Sequence, residues 1–166
     1  NDDDGATDCD DPGCVEDESC LALIPGALCT SPITISALPF LHTGTTEDMG
    51  NEVSVLEETC PDGVDVEEAT LEVLGEASDD VFFAFTPSTD GTFLISLDKE
   101  SDTDDFENLV MSIYEGGCPT GLETDLCIAG DNAISDGGEL LVIELSGGTP
   151  YIIVLDGWDN DFDING

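Results

Sequence analysis

Apolar residues recur along the second half of the chain in short runs with a period of two. Val81–Thr86 and Thr92–Leu97 are β-rich and are separated by Pro87–Gly91, with Asp90-Gly91 as a turn signal. The pattern predicts a hairpin there. In the second run Phe93, Ile95 and Leu97 point to one side, as alternate side chains of a strand do. Leu109–Tyr114 predicts a third strand with Leu109, Met111 and Ile113 on one face, and Leu126–Ala129 a short fourth. Glu139–Leu145 and Pro150–Leu155 predict a second hairpin around Gly147-Gly148. Several short strands between turn residues, without a long helical period, predict an all-β fold: an antiparallel β-sandwich, jelly-roll or immunoglobulin-like.

The first half is less regular. Leu21–Ile24, Ile33–Ile35 and Leu38–Leu41 are short apolar runs among Pro and Thr. Within residues 61–78, Val66–Leu74 fits one helical stretch or a strand ending at Gly75, and a strand edge or irregular insertion is the preferred reading. Within an expected N-terminal calcium-binding segment, 1–26, residues 1–20 are acidic, punctuated by Gly and Pro, and almost without core residues. Such a segment cannot bury enough surface to fold alone, so its order is expected to come from disulfides and calcium. Residues 27–166 form the expected sandwich domain.

Composition changes this picture in one respect. The 166 residues carry 40 acids against one Lys (Lys99), no Arg and one His (His42), a formal net charge of −39. That balance leaves no cationic footprint for nucleic acid or for an anionic membrane surface. No apolar run reaches membrane-spanning length. The hydrophobic fraction of 40% separates the chain from disordered acidic tails. A folded body this acidic repels itself unless its carboxylates are neutralised, and hard divalent cations bind oxygen directly.

Seven cysteines stand at 9, 14, 20, 29, 60, 118 and 127, with no Cys-x-x-Cys pair. A lone His makes a Cys/His zinc site improbable. The spacing instead predicts disulfides and an oxidising, extracellular compartment. Proximity in sequence pairs Cys118 with Cys127 and Cys29 with Cys60, and Cys14 with Cys20 across a small ring. Cys9 is then unpaired, or paired outside the segment. The start at Asn1 reads as the middle of a motif, so the chain is expected to be cut from a longer secreted protein.

Two stretches have the spacing of calcium loops. With Gly5 in the sixth place of the EF-hand pattern, Asp2, Asp4, Asp8 and Asp11 fall at ligand positions, and the Gly allows the sharp turn such a loop needs. Near the other end Asp161, Asp163 and Asn165 precede Gly166 in the same spacing, with Asp156 and Asp159 upstream. Asp104, Asp105, Asp131 and Asp136 are further candidates, and most remaining acids are a solvated face. Enzyme signatures are missing: there is no His-Glu-x-x-His, Gly-x-Ser-x-Gly or phosphate-loop motif. His42, beside Leu41 in a Thr-rich stretch, reads as structural or exposed. A glycosidase-type carboxylate pair needs a sugar-binding cleft, for which Trp158 and two Tyr are a thin supply; Trp158 reads as a cover on the end of the core. The chain is expected not to be an enzyme.

Residues 27–166 resemble the bacterial pre-peptidase C-terminal domain family. The resemblance rests on Cys29-Thr30-Ser31-Pro32-Ile33, Leu38-Pro39-Phe40 and Thr43-Gly44-Thr45-Thr46. It continues through Asp79-Asp80-Val81-Phe82-Phe83-Ala84-Phe85-Thr86 and Gly91-Thr92-Phe93-Leu94-Ile95-Ser96-Leu97. Gly117-Cys118, Cys127 and Gly147-Gly148-Thr149-Pro150-Tyr151 to Asp156-Gly157 complete it. It implies a β-sandwich similar to calcium-binding, collagen-binding modules, and it implies that Asp79 and Asp80 help hold calcium. Residues 1–20 resemble the acidic calcium repeat of thrombospondin type 3, through Asp4-Gly5, Asp8-Cys9-Asp10-Asp11-Pro12-Gly13-Cys14 and Cys20. The family sandwich carries one more strand after the Gly-rich loop, and 61–78 is an atypical insertion. A sandwich short of a strand offers an open edge that a neighbouring subunit can fill by strand addition.

The function expected from all this is an extracellular, bacterial, secreted or cell-surface, calcium-stabilised structural or adhesive module. It would serve as a subunit of a stalk or filament, partnered by copies of itself or neighbouring modules of the same chain. The alternative is a C-terminal targeting domain of a secreted hydrolase that binds an extracellular polymer, collagen or polysaccharide. Calcium is the one cofactor expected, with no nucleic-acid partner and no membrane insertion.

Overall fold

A computed structural model describes residues 18–44, 46, 49–53, 55–56, 60, 73–74, 79–97, 109–119, 127–131 and 139–157. Apart from one helical turn, α1 (Glu18–Leu21), the regular structure is β. The strands are β1 (Ile33–Ile35), β2 (Val55–Leu56), β3 (Val73–Leu74), β4 (Val81–Phe85) and β5 (Gly91–Leu97). They continue with β6 (Leu109–Glu115), β7 (Cys127–Asp131), β8 (Glu139–Leu145) and β9 (Tyr151–Gly157). The all-β expectation therefore stands, and β3 puts a strand within 61–78.

A five-stranded sheet in the order β1-β4-β9-β6-β7 forms the centre, with separate two-stranded sheets β5-β8 and β2-β3. The large sheet is mixed: β1 runs parallel to β4, whereas β4-β9, β9-β6 and β6-β7 are antiparallel. The antiparallel expectation is corrected at that edge.

Neither expected hairpin exists. β4 pairs with β9 and not with β5, and β8 pairs with β5 and not with β9. The cause lies in the two kinds of strand. Val81-Phe82-Phe83-Ala84-Phe85 and Tyr151-Ile152-Ile153-Val154-Leu155 are apolar on both faces, which suits central strands covered on both sides. β5 and β8 alternate, with one face inward and one outward, which suits an outer layer. Two-sided strands pair with each other, and so do one-sided strands. The connections after β4 and after β8 are then arches that carry the chain from one layer to the other.

The two arches lie side by side. Gly147 N–H donates to Asp90 Oδ1 at 2.8 Å and Gly148 N–H to the Pro87 carbonyl at 2.7 Å. A Cβ on Gly147 would stand 2.6 Å from Thr89 Cα, and Gly148 has φ of 78°, a left-handed conformation that favours glycine. The Gly-Gly pair is thus a packing requirement of the arches.

The large sheet buries both faces. On one, Val81, Phe83, Phe85, Met111, Ile113, Tyr151 and Ile153 pack with Leu141, Leu145, Phe93, Ile95 and Ile143 of the β5-β8 layer. This is sheet-on-sheet packing. Met111 and Ile113 share this face, and Phe93 and Ile95 meet it from the other layer, as their period-two spacing predicts. On the opposite face Phe82, Val110, Tyr114, Ile152 and Val154 pack with Cys29, Val53 and Cys60, which come from the irregular first half of the chain.

Disulfides staple that first half down, in a pairing other than the expected one. Cys29 bonds Cys118 and Cys60 bonds Cys127, which corrects Cys29–Cys60 and Cys118–Cys127. Each bridge joins a cysteine of the first half to one in or beside a strand of the large sheet. Sequence neighbours are not spatial neighbours here, because the first half lies across the sheet. Cys20 is also disulfide-bonded; its expected partner Cys14, and Cys9, lie outside the described residues.

Candidate functional site: the acidic end of the large sheet

The directions of four strands determine where the candidate ligands enter the fold. Registers pair Leu109 with Gly157, Val81 with Leu155 and Met111 with Asp131. β4 and β6 therefore begin, and β7 and β9 end, at the same edge of the large sheet. Asp79 and Asp80 immediately precede β4. Asp131 is the last residue of β7 and Asp156 the penultimate residue of β9. The four candidates among the described residues, Asp79, Asp80, Asp131 and Asp156, thus lie at one end of one sheet.

Of the expected ligands, Asp79, Asp80, Asp131 and Asp156 belong to described residues. Asp2, Asp4, Asp8, Asp11, Asp104, Asp105, Asp136, Asp159, Asp161, Asp163 and Asn165 lie outside them, as does Trp158.

Asp80 is the most constrained. It is fully buried, 0% exposed. Its Oδ2 accepts the backbone N–H groups of Glu52 and Val53, both at 2.7 Å, while its own N–H donates to the Gly50 carbonyl at 2.9 Å. The carboxylate thereby anchors the 50–53 segment, whose Val53 enters the core. Glu52 extends the link, because its Oε2 accepts the Cys29 N–H at 2.7 Å. The other oxygen of Asp80, Oδ1, is buried without a hydrogen-bond partner among the described residues. Native proteins seldom leave such an atom orphaned unless water or an ion completes it.

Electrostatics sharpen the point. Burial pushes the Asp80 carboxyl up from 3.8 to about 7; the two amide bonds oppose the rise, and the nearby charges of Glu52 and Asp79 add to it. With Lys99 as the one Lys or Arg in the chain, there is little to neutralise that charge from within. Continuing the β4-β9 register one step sets Asp80 opposite Asp156, which is also buried. Asp156 in turn stands opposite Val110 on β6. On that strand, two residues along on the same face, lies Ser112, buried with an unpartnered Oγ.

Sequence reasoning missed Ser112 and the Glu52–Val53 amides. Ser112 had a legible signal, a hydroxyl alternating with Val110 and Tyr114 in an otherwise apolar strand. The amides had none, since any residue supplies an N–H.

Asp80 fits a hard cation as one ligand: one oxygen held by amides, the other bare and buried. Among the described residues no group of three or more His, Cys, Asp or Glu side chains forms a ready metal site. Calcium takes six to eight oxygens, more than the described residues gather around Asp80. His42 takes part in an aromatic contact, its ring edge-on to Phe83 at 5.3 Å and stacked with Phe40 at 6.3 Å. No helix among the described residues is long and apolar enough to cross a membrane. The chain matches no family model, no curated protein and no solved structure.

Proposed function

We propose that the chain is an extracellular, non-enzymatic structural or adhesive module whose fold is completed by calcium at the acidic end of the large sheet. The reading takes the two layers as a sandwich of the pre-peptidase C-terminal type, and residues 1–26 as a second calcium-ordered segment. Such a module would serve in a cell-surface stalk or filament, with calcium relieving repulsion within each copy and between neighbours.

The observation that carries this reading is the buried Asp80 carboxylate with its bare Oδ1. A charge in that position is costly unless a counter-charge meets it. Asp80 would hold calcium through Oδ1 while Oδ2 keeps the 50–53 segment in place. Bound calcium supplies the positive charge that the side chains nearly lack. The disulfides agree with an oxidising compartment.

The test is thermal unfolding at fixed ionic strength, with and without chelator. Calcium is expected to raise Tm well beyond what sodium chloride of equal ionic strength achieves. Equal Tm in chelator and in calcium would overturn the proposal.

A further inference from the structure

The Cys29–Cys118 and Cys60–Cys127 bridges differ in their access to solvent. Cys60 and Cys127 are both buried, and a Cβ on the neighbouring Gly130 would stand 3.4 Å from the Cys60 Cβ. In the other bridge only Cys29 is buried. Cys118 is exposed. It follows Gly116 and Gly117, where an added Cβ would meet no atom within 4 Å. Thiol–disulfide exchange needs a thiolate to reach a sulfur of the bridge, and exposed bridges are the labile ones.

The buried end of this bridge is linked to Asp80. Cys29 N–H donates to Glu52 Oε2 and Glu52 N–H donates to Asp80 Oδ2, each at 2.7 Å. Val53 N–H makes the second bond to that oxygen. Two backbone bonds hold the same region independently of the disulfide: Gly50 N–H to the Ala27 carbonyl at 3.3 Å, and Phe82 N–H to the Gly26 carbonyl at 2.9 Å. Opening the bridge therefore loosens this region without detaching it.

We propose that Cys118 is a thiol-exchange site, and that a dithiol acting there loosens the Asp80 anchor while Cys60–Cys127 keeps the core closed. One thiolate of the dithiol attacks Cys118 Sγ. The S–S bond breaks, and its electron pair leaves on Cys29 Sγ, which takes up a proton. The second thiolate of the dithiol then attacks the dithiol's own sulfur in the mixed disulfide and releases the Cys118 thiolate, which is protonated in turn. The dithiol becomes a disulfide, oxidised by two electrons, and the bridge becomes two thiols, reduced by two. The consequence for calcium rests on the function proposed above: with Glu52 and Val53 less firmly placed, Asp80 is less pre-organised, and calcium binds more weakly to the reduced form.

The experiment titrates the intact chain in chelator with dithiothreitol, blocks free thiols with N-ethylmaleimide and maps the labelled peptides. Label is expected on Cys29 and Cys118 at concentrations that leave Cys60 and Cys127 unlabelled. In that form, amide hydrogen exchange at Glu52 and Val53 should be several-fold faster than in the oxidised protein, with Ile113 and Ile153 little changed. The double variant Cys29→Ser, Cys118→Ser, which keeps the other bridges, should show the same acceleration. In Glu52→Ala, which lacks the side-chain link to Cys29, reduction should change Val53 exchange little. Titration calorimetry should give a calcium dissociation constant several-fold higher for the double variant than for the oxidised wild type. Labelling of all four cysteines together, or of Cys60 and Cys127 first, would overturn the exchange site. Unchanged exchange at Glu52 and Val53 in both the reduced and the double-variant proteins, or an unchanged calcium affinity, would overturn the coupling. An oxidised chain that binds no calcium contradicts the calcium reading alone, because labelling and hydrogen exchange are measured without the metal.

Discussion

Replacing Asp80 by Asn separates the two roles assigned to its carboxylate. In chelator, the native carboxyl keeps its proton up to about pH 7, while in the unfolded chain it loses the proton near its ordinary value. Between those values the native state binds more protons, so stability falls as pH rises through the window from about 4 to 7. The shift from 3.8 to about 7, at about 1.4 kcal/mol per unit, makes this contribution about 4 kcal/mol, fully present below pH 4 and lost above pH 7. Other carboxylates of this acidic chain titrate too, so the informative quantity is the difference between wild type and Asp80→Asn. Asn can still accept the Glu52 and Val53 amides through its carbonyl oxygen, but it cannot ionise. Its amide group leaves a buried donor in place of Oδ1, at a cost of about 1–3 kcal/mol.

Asp80→Asn is therefore expected to be less stable than wild type at pH 4. In chelator at pH 8 it should be more stable, by about 1–3 kcal/mol once the unmade hydrogen bond is set against the relieved charge. Calcium should reverse that order at pH 8, because only the wild-type carboxylate supplies a charged ligand. Urea unfolding followed by circular dichroism suits the measurement, since urea adds no ionic strength. A wild-type minus variant difference that is constant from pH 4 to 8, or an equal gain from calcium in both proteins, would refute the assignment.

Two other expectations concern the frame that holds this site. Peptide mapping of the oxidised protein should recover Cys29–Cys118 and Cys60–Cys127; with the paired positions 89 and 67 apart in sequence, opening either bridge should cost about 4 kcal/mol. Recovery of Cys29–Cys60 or Cys118–Cys127 peptides would contradict the packing of the first half across the sheet. Gly147→Ala should destabilise by about 1–3 kcal/mol, because its Cβ would meet the backbone of Thr89 at 2.6 and 2.7 Å; an unchanged urea midpoint would mean the arches are not in contact.

The strands were legible because their apolar periods are strong: β4, β5, β6, β8 and β9 fall on the runs that predict them. Their partners were not. Asp90-Gly91 and Gly147-Gly148 are turn signals, and a turn signal does not say whether the chain returns beside itself or crosses to another layer. What distinguishes the layers is whether one or both faces of a strand are buried, and β8 does not show that in its residues, because Leu140 to Ile143 are all apolar. Val81–Phe85 carries that information in its unbroken run of apolar residues, and β5 lacks it because Thr92 and Ser96 alternate with Phe93 and Ile95. Cysteine pairing failed for a related reason. Cys118 and Cys127 are close in sequence, yet Cys127 faces the covered side of the sheet where Cys60 is buried.

At the candidate site the residue type was legible and the environment was not. Asp79 and Asp80 are adjacent acids before the same strand, but one is half-buried and the other fully enclosed. The difference follows from alternation: Asp80 shares the face of Phe82, which is covered by Cys29, Val53 and Cys60. On β5, Phe93 and Ile95 share the inward face that their spacing predicts, while Leu94, Leu140 and Val142 on the outward face of the layer break the alternation that a purely solvated surface would have.

The central claim is that the carboxylates at one end of the large sheet hold metal. The most direct test is the metal content of the purified protein after gel filtration in 0.15 M sodium chloride with excess magnesium, before and after stripping with chelator. The account predicts at least one calcium per chain retained through the column, lost on stripping together with thermal stability, and recovered on adding calcium back. A protein that elutes free of calcium, compact, and with the same melting temperature before and after stripping would contradict it.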